Sequence, residues 1–134
     1  MAATPSTTAR SHDAILTLLN TYFEGLYRAD SAMLATVFHP QLQYVSAVQK
    51  DFRVLTLPEY QRILDQREPP EARGEPRQEE IVSIEVESHT LAFVKVRMTM
   101  LGKDYTDFLT LVFDQDHWAI IAKIFHYESA NLGD

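Results

Sequence analysis

Three side chains in this sequence are candidates to move protons: the hydroxyl of Tyr22, the carboxyl of Asp107 and the imidazole of His126. Brought together in an apolar pocket, such groups can exchange protons with a substrate, because burial tunes acids and bases for work near neutral pH. Each also has a plainer reading. His126 fits a core or rim position in the last strand, and Asp107 fits a strand-end residue bonded to backbone. Lys123, between Ile121 and Phe125, reads as a side chain that snorkels or pairs with an acid. His39 precedes Pro40 at an expected helix end, where the helix dipole favours positive charge, so a capping or surface role is expected. No metal site is predicted: the five histidines are dispersed, with no His-x-His or His-Glu-x-x-His. Glycine-rich phosphate loops are absent, no cofactor is implied, and Met98 and Met100 read as core filler.

The elements that must position these groups centre on Tyr105 to Tyr127. Two runs rich in β-branched and aromatic residues flank Asp-Gln-Asp-His, which predicts a β-hairpin. In the second run, strict alternation puts Trp118, Ile120, Ala122, Ile124 and His126 on one face. Ala119, Ile121, Lys123 and Phe125 take the other. Both faces are apolar, so both are expected to be covered, one by helices and one by a second copy of the chain. The proposed contact stripe is Ala119, Ile121, Phe125, Phe108 and Val112, packed about a two-fold axis.

Upstream, residues 1–10 are predicted to be a frayed tail interrupted by Pro5. Ser11 is a plausible helix cap, and Ile15, Leu18, Leu19, Tyr22, Phe23 and Leu26 recur at helical spacing. Gly25 within this helix implies either a close approach or simple tolerance. Asp30 caps a second helix expected to run through Phe38 and end at Pro40. A strand over Leu42–Val48, a turn and a short strand around Phe52–Leu55 follow. Thr56, Pro58 and Glu59 then signal a third helix. The proline-rich segment Arg67 to Glu80 reads as a solvated loop, either a lid or a surface excursion. Strands over Glu80–Glu87 and Leu91–Leu101 lead into the hairpin, and residues 129–134 read as a tail. A single domain over 11–128 is expected.

Composition narrows the function. A formal charge of −7 without a segregated basic patch argues against nucleic acid. Cysteine is absent, which removes thiol chemistry and disulfides. Apolar runs are too short for a membrane span, and the first residues lack a signal-peptide core, so a cytoplasmic protein is expected.

The order of elements predicts an α+β fold with helices segregated from a curved antiparallel or mixed sheet. It resembles the cone-shaped nuclear-transport-factor-2-like superfamily, with its ketosteroid isomerases, scytalone dehydratase and SnoaL-like polyketide cyclases. Within it, the chain is similar to the putative lumazine-binding family. The carrying residues are Tyr22-Phe23-Glu24-Gly25 with Asp30 and Leu34, Phe38-His39-Pro40, Asp107-Phe108-Leu109, and Trp118-x-Ile120-x-x-Lys123-x-Phe125. The resemblance implies a sheet wrapped around an N-terminal helical hairpin and a third helix, with a cavity mouth between hairpin and concave face. It implies pocket positions for Tyr22, Phe38, Tyr44, Ser46, Met98, Asp107, Leu109 and His126, and a small hydrophobic ligand. Ketosteroid isomerisation itself is not expected: the general-base position aligns with Ser46 and the oxyanion acid falls near Leu109, leaving Tyr22 alone of that trio. Three readings stay open. They are a small-molecule binder, an isomerase, dehydratase or cyclase using Tyr22, Asp107 and His126, and a non-catalytic dimeric assembly module.

Overall fold

The 22-residue helix α1, Thr7–Arg28, lies across the concave face of a six-stranded sheet in a computed structural model that describes residues 7–130. The tails expected at 1–10 and 129–134 fall largely outside those residues. Within them, however, α1 already begins at Thr7, and the last strand continues to Ser129. Ser11, expected as a cap, lies inside α1 and is buried. The helical stripe from Ile15 to Leu26 is buried as its spacing predicts.

Helix α2 is short, Ser31–Ala35, capped by Asp30 Oδ1 accepting the Met33 amide at 3.0 Å. It stops earlier than expected: Phe38, His39 and Pro40 open strand β1, Phe38–Ser46, instead of ending a helix. His39 therefore caps nothing; its Nε2 lies 2.9 Å from Asp114 Oδ2. Pro40 sits in the stretch where β1 and the last strand lose register, so its missing amide breaks no ladder.

A short 3-10 turn (Gln49–Asp51) leads to β2, Arg53–Leu55, and then helix α3, Leu57–Gln66. The start of α3 is a full capping box. Thr56 Oγ1 accepts the Glu59 amide, and Glu59 Oε1 accepts the Thr56 amide at 3.0 Å. Strands β3 (Gln78–Val86), β4 (Leu91–Met100), β5 (Lys103–Asp114) and β6 (His117–Ser129) complete the sheet in the order β2-β1-β6-β5-β4-β3. Neighbours are antiparallel except β1 and β6, which run parallel. The architecture is the expected α+β cone with a mixed sheet.

The segment before β3 is anchored, unlike a free lid. The Glu71 amide donates to the Tyr27 carbonyl at 3.1 Å, the Tyr27 hydroxyl donates to the Glu75 carbonyl at 2.6 Å, and Glu75 Oε1 accepts the Leu101 amide at 2.8 Å.

The β5–β6 ladder carries the main departure from strict alternation. Thr110 pairs with Ala122 but Leu111 pairs with Ile120, leaving Ile121 as an extra residue. A bulge of this kind reverses which side chains face inward beyond it. Trp118 and Ile120 face the core, and so do Lys123 and Phe125, whereas Ile124 and His126 are turned to the convex side and exposed. The contact stripe expected there is corrected accordingly. Phe125 is core, Ala119 is already buried, Val112 and Ile121 are half-buried, and the exposed apolar residues there include Phe93, Phe108 and Ile124.

Gly25 marks where α2 packs on α1. A Cβ there would lie 2.6 Å from Leu34 Cγ, a side chain that is fully buried and cannot withdraw. The close approach is thus to a side chain, not to a backbone. Gly25→Ala should gain about 1 kcal/mol of helix propensity but lose about 1–3 kcal/mol to overpacking. Thermal unfolding is expected to show a lower midpoint; a raised one would mean that the helical hairpin relaxes freely.

Candidate functional site

At the centre of the cone, α1 places Tyr22 against β5, and the Tyr22 hydroxyl donates to Asp107 Oδ2 at 2.5 Å. Both residues are buried, at 0% and 1% exposure. The bulge in β6 brings Lys123 to the same spot, with Nζ 3.8 Å from Asp107 Oδ2 and only 5% of the residue exposed. The ammonium faces aromatic rings on several sides. Its distance to the ring centre is 5.0 Å for Tyr22, 5.3 Å for Tyr60, 5.5 Å for Phe125 and 5.6 Å for Tyr44. Such π faces stabilise a desolvated cation. The second carboxylate oxygen, Asp107 Oδ1, is buried without a hydrogen-bond partner.

Asp107 and Lys123 of this cluster line a cavity of about 240 Å3, together with residues of α3, β1, β2 and the β4, β5 and β6 strands. Tyr44, Tyr60, Met98, Tyr105 and Phe125 line its body, and Asp51, Arg53, Arg67, Lys103 and Tyr127 also contribute. The rings are packed on one another: Tyr44 stacks on Tyr60 with centres 4.2 Å apart, and Phe125 lies 5.0 Å from Tyr44. α3 supplies both Tyr60 and, at its C-cap, Arg67.

Burial sets the acid–base character. It raises the Asp107 carboxyl above its ordinary range, against the pull of Lys123 and then of the Tyr22 hydrogen bond. Burial likewise drives Tyr22 well above an ordinary tyrosine, with the Asp107 charge adding to it. It pushes Tyr44 up to about 12 and raises Tyr60 and Tyr105. The tyrosines are therefore neutral hydroxyl donors at physiological pH, and Asp107 is a stronger base than a surface carboxylate.

The structure gathers Tyr22, Tyr44, Met98 and Asp107 at or beside this cavity, and separates the others. Phe38 is packed beneath it, edge-on to Tyr22 and Tyr60 with centres 5.9 Å away in each case. Leu109 is core. Ser46 is fully buried, its hydroxyl unpartnered, and does not reach the cavity lining. His126 is on the opposite side of the sheet. It lines a shallow depression of about 640 Å3 with Arg97 and Glu128, and its imidazole is 57% exposed. Hence no Tyr22–Asp107–His126 constellation exists; Lys123 occupies the role that alternation assigned to the histidine. The residues missed from sequence are Tyr60, Tyr105, Tyr127, Arg53, Arg67 and Lys103. Of these, Tyr105, which alternates with Asp107 and Leu109 on β5, and Tyr60, on the apolar stripe of α3, carried a signal, being polar-tipped rings at inward positions. Among the described residues no group of three or more acids and histidines could hold a metal ion. Among the same residues no helix is long and apolar enough to cross a membrane.

The family model described as "Putative lumazine-binding" matches residues 10–126. The chain belongs to that family. Aldolase FrzH of Cladobotryum sp is a relative of this family member, 29% identical over 121 residues that cover 89% of this chain and 93% of the aldolase. Solved structures share the fold. An NTF2-like protein of unknown function from Shewanella baltica OS155 aligns with a TM-score of 0.82 at 21% identity, over 94% of this chain and 100% of its own. One from Silicibacter pomeroyi DSS-3 gives 0.81 at 20%, over 92% and 100%. A ketosteroid isomerase-like protein from Erwinia carotovora atroseptica SCRI1043 gives 0.66 at 14%, over 88% and 96%. The cone-shaped fold that the resemblance implied is thereby shown.

Tyr22→Phe tests the buried triad. Loss of the hydroxyl leaves both Asp107 oxygens without a hydrogen bond, at a cost of about 1–3 kcal/mol in urea unfolding at pH 7. The sign with pH follows from the raised carboxyl. Asp107 ionises higher in the folded chain than unfolded, so its contribution is intact at low pH and is lost as pH rises through the folded value. The hydroxyl favours the ionised form over the neutral one, so the deficit of Tyr22→Phe should widen across the same rise. A deficit independent of pH would show that the hydroxyl does not act on the charge.

Proposed function

We propose that this putative lumazine-binding family member binds a small carbonyl compound in the cone cavity and moves a proton on the carbon beside its carbonyl. The observation that carries the reading is the buried Asp107, with one oxygen held by Tyr22, the other free, and the Lys123 ammonium alongside. Asp107 Oδ1 takes the α-proton. The electron pair of the broken C–H bond moves to the carbonyl oxygen, and Lys123 holds the resulting enolate oxygen by charge and hydrogen bonding. Tyr22 touches Asp107 rather than substrate and is a positioning residue. The enolate then takes the proton back from Asp107, at the same carbon or at the far end of a double bond conjugated with it. Otherwise its carbon attacks a second carbonyl, whose π electrons become an alkoxide that takes the proton from Asp107.

Support comes also from the relatives. One is named an aldolase, and aldol addition begins with this same proton loss; a fold neighbour is described as ketosteroid isomerase-like. The cavity's size favours a compact ligand, since about 240 Å3 lies below the ~300–1,000 Å3 of pockets for drug-sized molecules.

Proton NMR in D2O checks this reading with a panel of small ketones and aldehydes, following loss of the α-proton signal. Wild type should exchange at least one of them above the buffer rate. Asp107→Asn and Lys123→Met should each lose about 100-fold or more. Exchange that survives Asp107→Asn, or none above buffer across the panel, would overturn the proposal.

A separate observation bears on assembly. On the convex side, Phe93 and Phe108 pack with centres 5.7 Å apart, beside Ile124, and all three are 38–45% exposed. This apolar patch supports a two-fold homodimer through the outer sheet face. Light scattering should give twice 15.4 kDa at micromolar concentration, and Phe108→Asp should return the 15.4 kDa species. A wild-type protein of 15.4 kDa throughout would exclude the pairing.

A further inference from the structure

The cavity departs from the rest of the molecule in its charge. The chain as a whole carries −7. Its cavity lining holds four cations, Arg53, Arg67, Lys103 and Lys123, against two carboxylates, Asp51 and Asp107. The pairing among these is uneven. Asp107 is matched by Lys123 at the inner end. Asp51 is matched by Arg53, with Nε at 2.9 Å and Nη2 at 3.1 Å, and also accepts the Tyr127 hydroxyl at 2.5 Å. That hydrogen bond, with Arg53 beside it, lowers the Asp51 carboxyl, so it is ionised and already engaged. Glu75, which accepts the amide of the lining residue Leu101, is paired with Arg73 at 3.3 Å.

Two cations remain. Among the described residues, neither Arg67 nor Lys103 has a carboxylate within ion-pair distance. Lys103 lies over the Tyr127 ring, 4.6 Å from its centre, and Arg67 extends from the α3 C-cap, close enough to Tyr60 to pull down that hydroxyl's pKa against burial. Both are half-buried and line the cavity. A guanidinium and an ammonium left over in an acidic protein, at a partly desolvated wall beside neutral tyrosine hydroxyls, form a receptor for an oxyanion.

We infer that the carbonyl ligand of this cavity is itself an anion, its carbonyl at Asp107 and Lys123 and its carboxylate or phosphate held by Arg67 and Lys103. The inference rests on the enolising role proposed above and names the substrate class of that same site: a small oxo acid or oxo phosphate. The ligand so defined is polar at both ends, in place of the hydrophobic one that family resemblance implied. A cavity of about 240 Å3 has room for such a compact molecule.

The test reads binding, so it stands apart from turnover. Thermal shift is measured with 4-oxopentanoate, with its uncharged amide 4-oxopentanamide, with dihydroxyacetone phosphate, and with inorganic phosphate. The same series is run on Arg67→Gln, Lys103→Gln and Asp107→Asn. At least one oxo anion should raise the wild-type midpoint by several degrees at millimolar concentration, while the amide gives none. Arg67→Gln should abolish the shift, Lys103→Gln should weaken it, and 0.5 M sodium chloride should reduce it. Asp107→Asn, which alters the carbonyl end alone, should change the shift less than Arg67→Gln does, while abolishing the deuterium exchange. A response to 4-oxopentanoate assigns carboxylate, and one to dihydroxyacetone phosphate assigns phosphate. Equal shifts by acid and amide, shifts that survive Arg67→Gln, inorganic phosphate acting alone, or no shift by either oxo anion would each overturn the inference. Deuterium exchange of neutral ketones that is lost in Asp107→Asn would in those cases leave the enolising role standing.

Discussion

One surplus residue in the last strand, Ile121, decides which chemistry the cone contains. A strand that kept strict two-residue alternation from Trp118 onward would send His126 inward and leave Lys123 outside. With the bulge, Trp118 and Ile120 still cover the core under α1, and beyond it Lys123 and Phe125 take over the inward positions. The ammonium then arrives within 3.8 Å of Asp107, which the neighbouring strand has already turned toward Tyr22. The triad depends on three elements meeting at one depth: helix α1, strand β5 and the displaced half of β6.

Such a cluster is poor value as a stabilising device. Removing a carboxylate and an ammonium from water costs several kcal/mol per ion, and replacement by packed apolar side chains is often neutral or favourable. Here the carboxyl is left with one oxygen unsatisfied, and burial outweighs its two favourable partners in raising its pKa. The surrounding core would accommodate a leucine and a phenylalanine in the ordinary way; Leu109 and Phe125 sit on either side of these residues. Charges retained at a cavity wall under those terms point to use of the charge, as perturbed groups in clefts generally do.

Much of the frame is legible in the sequence because it obeys short-range rules. The Ile15–Leu26 stripe, the Thr56–Glu59 capping box and the β5–β6 hairpin each follow from spacing and local chemistry. Two features obey other rules. Phe38-His39-Pro40 resembles the end of a helix, yet α2 closes at Ala35, and tertiary pairing with β6 pulls Phe38 into a strand: the Ile120 amide donates to the Val37 carbonyl at 2.8 Å. The bulge at Ile121 has no composition signal at all, lying between two apolar neighbours. One unannounced residue therefore moved His126 out of the site and Lys123 into it, while Tyr22 and Asp107, on elements with regular periods, are placed as their alternation implies. The mouth of the cavity was hidden for a different reason. Arg53, Arg67 and Lys103 come from β2, the end of α3 and the start of β5, and nothing local links them.

The same separation explains why net charge misleads about the interior. A total of −7 describes the field outside the protein, where Debye screening removes interactions beyond roughly 10 Å. The cavity is governed instead by which charges share its low-dielectric wall and which of them are already paired. Asp51 is held by Arg53 and Tyr127, with Lys103 acting on it from beyond ion-pair distance, and Asp107 by Tyr22 and Lys123, so the acids that face the cavity leave Arg67 and Lys103 without a carboxylate in direct contact. The sign of the local potential is therefore set by pairing within the wall and not by the total, so an acidic chain can hold a cavity in which cations outnumber carboxylates.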